Sequence, residues 1–238
     1  MVINQQKSCA NCKHCLVGKF CSPEWISKVD AGKNQLLYRK GQYIFYEGAL
    51  VFGLHLVTEG KVKIISNVSG SKEQIVRLAT DGHVLGRWGD KEDIYENSAV
   101  SLEDSVICFI NNDLLHDVCL ANPEFTFQLM MYYASELRKS GKQIKCLGQM
   151  PVKLKIVETL LHLVEIFGLD SRRNIAAAIS RQEIAEMAAV NMEQVSREIT
   201  ALKKRRIIST NGKQIIINDL EKLQEIVATQ MDILDLDS

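Results

Sequence analysis

Four cysteines crowd into thirteen residues near the amino terminus: Cys9, Cys12, Cys15 and Cys21, spaced C-x2-C-x2-C-x5-C. Thiolates are the natural ligands of soft metal centres, and four of them are what a tetrahedral zinc or an iron–sulfur cluster takes. Two-residue gaps let a single loop wrap such a centre. The run is tighter than the two separated CxxC knuckles usual for zinc. It also departs from the ferredoxin run, in which proline follows the fourth cysteine directly, because Ser22 stands between Cys21 and Pro23. On the residues alone, zinc and iron–sulfur both stay open. His14 inside the run is a second-choice ligand. Three further cysteines lie elsewhere: Cys108 in SLEDSVICFI, where strand periodicity makes it a core residue, and Cys119 and Cys146 in apolar helical settings that read as packing.

A second set of residues could do chemistry on a nucleic acid. Ser180–Ile208, SRQEIAEMAAVNMEQVSREITALKKRRII, predicts a helix, a tight turn and a second helix. Ser180 with Glu183, and Asn191 with Gln194, are capping patterns that start the two helices. Ile184, Met187 and Ala188 share one face of the first, and Val195, Ile199 and Leu202 one face of the second. Glu193, Ser196 and Arg197 share a different face, in the turns that meet base edges when such a helix enters a major groove. Arg197 can bond bidentately to guanine, and Glu193 can accept from a cytosine amino group. Ser180, Arg181, Gln182 and Lys203 are the candidate phosphate contacts, and Lys203–Arg206 put positive charge at the helix end. Ile207–Ile217, with Asn211-Gly212 between apolar runs, predicts a hairpin and hence a winged helix-turn-helix. Between Arg172 and Lys213 there are nine Lys/Arg against four Glu, a local basic patch in a chain of zero formal net charge.

The elements that must position these residues follow from length and pattern. At 238 residues the chain holds one large domain or two modest ones, and 46% apolar with 24% charged residues is a globular composition. No run of about 18 apolar residues occurs, and MVINQQKSCANCKHC has no apolar signal core, so no membrane span is expected and the location should be cytoplasmic. Seven cysteines there argue for thiols or metal rather than disulfides. From about Leu36 to Ile110, glycine turns (Lys40-Gly41, Glu47-Gly48, Glu59-Gly60, Ser69-Gly70-Ser71, Asp81-Gly82) separate short apolar alternations, an antiparallel barrel or sandwich pattern. From about Pro123 to Gly148, Met130, Tyr133, Leu137, Ser140, Ile144 and Leu147 repeat with 3-4 spacing, a seam for a partner helix. Gly141 and the like charges Arg138, Lys139, Lys142 and Lys145 make that seam marginal. Met150-Pro151 marks a hinge, Leu154–Phe167 a helix ended by Gly168, Leu220–Met231 a closing helix and Asp232–Ser238 a frayed acidic tail. No Ser/His/Asp spacing, HExxH or P-loop appears, so the chain is not expected to be an enzyme.

SRQEIAEMAAVNMEQVSREI resembles the DNA-binding motif of the CRP/FNR superfamily of bacterial regulators, with Ala189 where the family usually has a turn glycine. LLYRKGQYIFYEG and LVTEGKVKII resemble the first strands of its cyclic-nucleotide-binding β-roll. The resemblance implies an α+β fold: residues 1–30 a cysteine-rich segment, 31–122 the β-roll, 123–150 a dimerisation helix and 151–238 the winged helix-turn-helix. Glu193-x-x-Ser196-Arg197 looks like the base-reading set of the FNR branch, which reads a TTGAT-type half-site, and Cys12-x2-Cys15-x5-Cys21 with Cys108 looks like its [4Fe–4S] ligand set. Cys9 is then a spare thiol or part of a zinc arrangement. In nucleotide-binding members a Gly-Glu pair and an Arg-Ser hold cAMP. Here the matching stretches read Leu85-Gly86-Arg87-Trp88 and Glu96-Asn97-Ser98-Ala99, so no cAMP is expected.

The expectation is a homodimeric transcription regulator that binds palindromic DNA, works with RNA polymerase and responds to oxygen or nitric oxide through the cluster. Two other readings stay open. One is a regulator of the same kind with a zinc or thiol switch, or with another effector in the β-roll. The other is an electron-transfer or redox protein.

Overall fold

The computed structural model describes residues 7–12, 14–68, 72–87, 89 and 92–236. The turn signal Ser69-Gly70-Ser71, Trp88 and the last two residues of the acidic tail lie outside the described residues. The chain divides into two compact units, Met1–Lys139 and Ser140–Ser238.

In the first unit the cysteine segment forms a 3-10 turn (Cys9–Asn11), α1 (Leu16–Phe20) and α2 (Pro23–Gly32). The sequence reading names no helix there, although Ser22 at the N-cap, Pro23 at the first helical position and Glu24 in the first turn are a start signal for α2. Eight strands follow: β1 (Asn34–Tyr38), β2 (Tyr43–Phe45), β3 (Gly53–Glu59), β4 (Val62–Val68), β5 (Lys72–Ala79), β6 (Val84–Leu85), β7 (Ser98–Ser101) and β8 (Ser105–Asn111). They make two four-stranded antiparallel sheets, ordered β1-β8-β3-β6 and β2-β7-β4-β5. Between the sheets lie Phe45, Val57, Ile64, Leu85 and Ile107. On the other face of β3 and β8, Leu56, Cys108 and Ile110 pack with Val29 of α2 and with Leu115 and Val118 of α3 (Asn112–Ala121). The two-residue period of a strand therefore turns Cys108 away from the β-roll interior and toward the amino-terminal helices.

The helix α4 (Pro123–Gln149) covers the expected span. Its exposed stripe differs from the expected seam. Met130, Leu137, Ser140 and Ile144 are exposed, but Tyr133 packs on the core of its own unit and Leu147 is half-buried. A 3-4 alternation offers two overlapping stripes one residue apart, and burial of the large Tyr133 ring selects the second. The outward line is Phe127, Met130, Ala134, Leu137, Gly141 and Ile144.

The second unit has α5 (Val152–Phe167), α6 (Arg181–Ala188), α7 (Met192–Lys204), the hairpin β9 (Ile208–Asn211) and β10 (Gln214–Ile217), and α8 (Leu220–Leu236). Gly168 ends α5 at φ 73°. Leu154, Leu160, Ile184, Val195, Ile199, Leu202 and Leu223 are fully buried, so α5 to α8 share one core. The closing helix runs to Leu236, through residues where the acidic composition predicts a frayed tail. The α+β architecture is thus a β-roll, a long helix and a winged helix-turn-helix.

Candidate functional site

The thiols meet in one small pocket. Cys9, Cys12 and Cys15 of the amino-terminal loop line it together with Cys108, Lys33, Gln35 and Gly82. Cys108 reaches it because β8 pairs Cys108 with Gln35 of β1 on one side and Leu56 of β3 on the other. The loop is pressed into place at Gly18, where a side-chain Cβ would lie 2.0 Å from the Cys9 carbonyl oxygen. Cys21 stands apart from the lining, against the same core near Cys15 and Cys119.

Charge in the pocket is organised by Lys33, whose side chain is 1% exposed. Its ammonium donates to Asp30 at 2.5 Å, to the Lys7 carbonyl at 2.7 Å and to Cys9 Sγ at 3.2 Å. Burial opposes its charge, but Asp30 and the thiols outweigh this and raise its pKa. Asp30 also accepts from Ser8 and from the Cys9 backbone N–H, and despite partial burial its carboxyl is held at about 2, chiefly by Lys33. The Cys9 thiol donates to Cys15, which raises Cys9 and holds Cys15 down at about 6; the backbone N–H groups of Gly18 and Val17 and the Lys33 ammonium add to the lowering. Burial pushes Cys21 and Cys108 up to about 12. A thiol carries charge in such a place only beside a cation or on a metal.

The donor set suits a soft metal centre: several thiols converge on one buried ammonium that can offset their charge. The cavity itself measures about 10 Å³, room for a single water. Among the described residues no three His, Cys, Asp or Glu side chains stand in a metal-holding arrangement, so the thiols, Cys21 included, would have to rearrange around a cluster. Lys33 and Asp30 are functional candidates that sequence reasoning missed. A lysine immediately before a strand carries no local sign of burial.

The second site is an exposed groove lined by Glu193, Ser196, Arg197, Thr200, Ala201 and Lys204 of α7. Both capping boxes are present, at Ser180–Glu183 and at Asn191–Gln194. Between the helices Ala189 adopts the left-handed conformation, φ 49° and ψ 48°, at the position where the family glycine was expected. Arg197 donates to Glu193 at 2.5 Å with both side chains about three-quarters exposed, so water can replace either partner at little cost. Arg181 donates to Ser196 at 3.3 Å, Gln182 to Glu186 at 3.0 Å and Lys203 to Thr210 of the wing at 3.0 Å. Ser180 differs: its hydroxyl is taken up by Glu183, donating to the carboxylate at 2.8 Å and accepting from the backbone at 3.2 Å. The groove is a helix surface with an exposed acid–base pair and a cationic rim.

In the β-roll, Arg87 lies 3.2 Å from both carboxylate oxygens of Asp93. That pairing neutralises the one cation in the stretch corresponding to the nucleotide-binding Gly-Glu.

Comparison with known proteins follows the same division. Residues 35–122 match the cyclic nucleotide-binding domain and residues 155–226 the Crp-like helix-turn-helix domain, together more than half of the chain. The chain belongs to the CRP/FNR family of regulators. Among similar family members, the transcriptional activator protein Anr of Pseudomonas aeruginosa is 26% identical, the match covering 94% of this chain and 95% of the relative. The anaerobic regulatory protein of Pasteurella multocida is 24% identical over 94% of this chain and 86% of its own length. In fold, the chain is similar to FixK2 from Bradyrhizobium japonicum, with a TM-score of 0.72 at 21% identity over 81% of this chain and 96% of that one. As in the family, this CRP/FNR protein places its reader helix after a β-roll and a long helix. Among the described residues no helix is long and apolar enough to cross a membrane.

Proposed function

We propose that this protein is an FNR-like transcription regulator that works as a homodimer and responds to oxygen or nitric oxide. Its [4Fe–4S] cluster would be held by Cys12, Cys15, Cys21 and Cys108. Glu193, Ser196 and Arg197 would read a palindromic TTGAT-type site, with Arg181, Gln182 and Lys203 on phosphates. The observation that carries the reading is the meeting of Cys108, from a late strand, with the amino-terminal thiols beside a buried ammonium. The names of the relatives, an anaerobic regulator and a transcriptional activator, support it.

When bound, the cluster supplies a centre that oxygen or nitric oxide can attack. The chain's own residues do the rest. Lys33 offsets thiolate charge, Asp30 holds Lys33 in place, and the close approach at Gly18 fixes the loop that carries three of the thiols. The exposed line Phe127, Met130, Ala134, Leu137, Gly141 and Ile144 is the surface for a second copy. Its small Ala134 and Gly141 keep that dimer weak enough to be shifted by a ligand bound in one state only. No nucleotide is assigned to the β-roll, because Asn97 stands where the phosphate-binding arginine would be and Arg87 is held by Asp93. The reading places the protein in the cytoplasm, with RNA polymerase as a partner at the promoter.

The test is purification without oxygen, visible spectroscopy and iron and sulfide analysis, repeated after air. The expected result is a brown protein with about four irons and four sulfides per chain that bleaches in air, and a Cys108→Ser variant without the colour. A colourless protein holding zinc or no metal would overturn the iron–sulfur reading and leave DNA binding to be tested on its own.

A further inference from the structure

We infer that the turn Thr80–Leu85 is the mechanical link between the cysteine loop and α4, and that Tyr132 is the residue on α4 that reads its position. The inference rests on the cluster reading above and assigns it a route.

On one side the turn touches the cysteine loop by backbone. Gly82, at φ 82°, lies where a Cβ would come within 2.6 Å of the His14 Cβ and 2.7 Å of the His14 carbonyl oxygen, between Cys12 and Cys15 in the chain. Gly82 also lines the thiol pocket. On the other side the turn is held by α4. The Tyr132 hydroxyl accepts from the Val84 N–H at 3.1 Å and donates to the Val84 carbonyl at 3.2 Å, so both backbone groups of one residue are tied to a single side chain. Arg77 donates to the same carbonyl and pairs at 3.1 Å with Glu136, one helical turn beyond Tyr132. The His83 ring stands edge-on to Tyr132 at 6.3 Å.

The turn itself is braced by bonds to β3 and to Gly60. The Gly82 N–H donates to Val57 at 2.8 Å, Val57 donates to His83 at 2.9 Å, and Asp81 accepts from the Gly60 N–H at 2.9 Å. A shift of the cysteine loop therefore displaces Gly82 directly, with no soft side chain in between. Two residues later the displacement reaches groups bonded to α4, whose other face carries Met130, Ala134 and Leu137. Packed elements of this kind switch between arrangements rather than deform smoothly.

The test compares wild type with Tyr132→Phe, which keeps the ring and removes both bonds to Val84. Iron and sulfide content are measured first, then the dimer dissociation constant before and after air by sedimentation. The expected result is unchanged iron with a roughly tenfold narrowing of the air-induced change in that constant. Glu136→Gln, which weakens the second tie, should move it the same way by less and serves if Tyr132→Phe does not fold. An iron-loaded Tyr132→Phe dimer that answers air as wild type does would overturn the link alone. Wild type without iron would overturn the cluster reading and the link with it.

Discussion

The reader helices and the thiol pocket are built by opposite rules. In the reader, many polar groups find a partner within one turn of the same helix, and most of those side chains are exposed: Glu193 with Arg197, Gln182 with Glu186, Asn191 with Gln194. In the pocket, the partners come from separate stretches of chain: Lys7, Cys9, Asp30, Lys33, Gln35, Gly82 and Cys108. The charged pair there is shielded from water, with Lys33 1% and Asp30 24% exposed. Exposed pairs contribute little to stability and exchange partners freely, which is what a surface that must accept bases and phosphates requires. A buried ammonium cannot lose its partner without a large cost. The reader is made to rebond, whereas the pocket is made to hold.

The largest expected effect tests the second half of that contrast. Asp30→Ala leaves Lys33 buried beside thiols without its carboxylate, and thermal unfolding should show a loss of roughly 3–5 kcal/mol. The pH dependence follows from the same pair. The Asp30 pKa is depressed to about 2 in the folded protein, against about 3.9 unfolded, so its contribution is present above pH 4 and lost as pH falls through 2. The gap between wild type and Asp30→Ala should therefore be constant from pH 5 to 8 and narrow by about 2.6 kcal/mol in strong acid. A loss below about 1 kcal/mol at neutral pH, the size of a surface pair, would erase the distinction between the two regions.

Arg197→Ala tests the first half. The side chain is exposed, so stability should change by less than about 0.5 kcal/mol. Binding to the palindromic site, measured by fluorescence anisotropy, should weaken by about 1–3 kcal/mol and lose preference at one base pair. An equal loss on random DNA would make Arg197 a phosphate contact and return base reading to another residue.

The same contrast explains what could be read in the chain before its structure was known. Glycine turns between strands, capping boxes, the αL turn at Ala189 and the wing are short-range signals, and the two capping boxes and the wing sit within about a residue of their expected places. The wing turn, for example, is centred on Gly212 and Lys213 rather than Asn211-Gly212. The cysteine spacing put Cys9, Cys12 and Cys15 on one loop for the same reason. What escaped was set by distance along the chain. Burial of Lys33 depends on β1 and the cysteine loop closing over it, and the choice of outward stripe on α4 depends on Tyr133 finding space in its own core. The tie between Val84 and Tyr132 has no sequence pattern at all. Cys9 also belongs here: the resemblance left it as a spare thiol or part of a zinc arrangement, whereas contact with Lys33 and Cys15 places it inside the pocket.

The smallest expected effect lies in the turn between the reader helices. Ala189 holds φ 49°, a conformation that costs a residue with a Cβ about 1–2 kcal/mol and glycine almost nothing. Glycine would remove that strain but would add about 0.5–1 kcal/mol of chain entropy to the unfolded state. The two effects oppose each other, and Ala189→Gly should raise stability by only about 0.5 kcal/mol, seen as a small rise in the melting midpoint. DNA affinity should stay unchanged, because the turn is already formed with alanine: the Val190 N–H donates to the Ala185 carbonyl at 3.1 Å and closes α6. A gain in affinity larger than the gain in stability would mean that the alanine strains the angle between α6 and α7. The reader would then be less fully formed before it meets DNA than its two capping boxes imply.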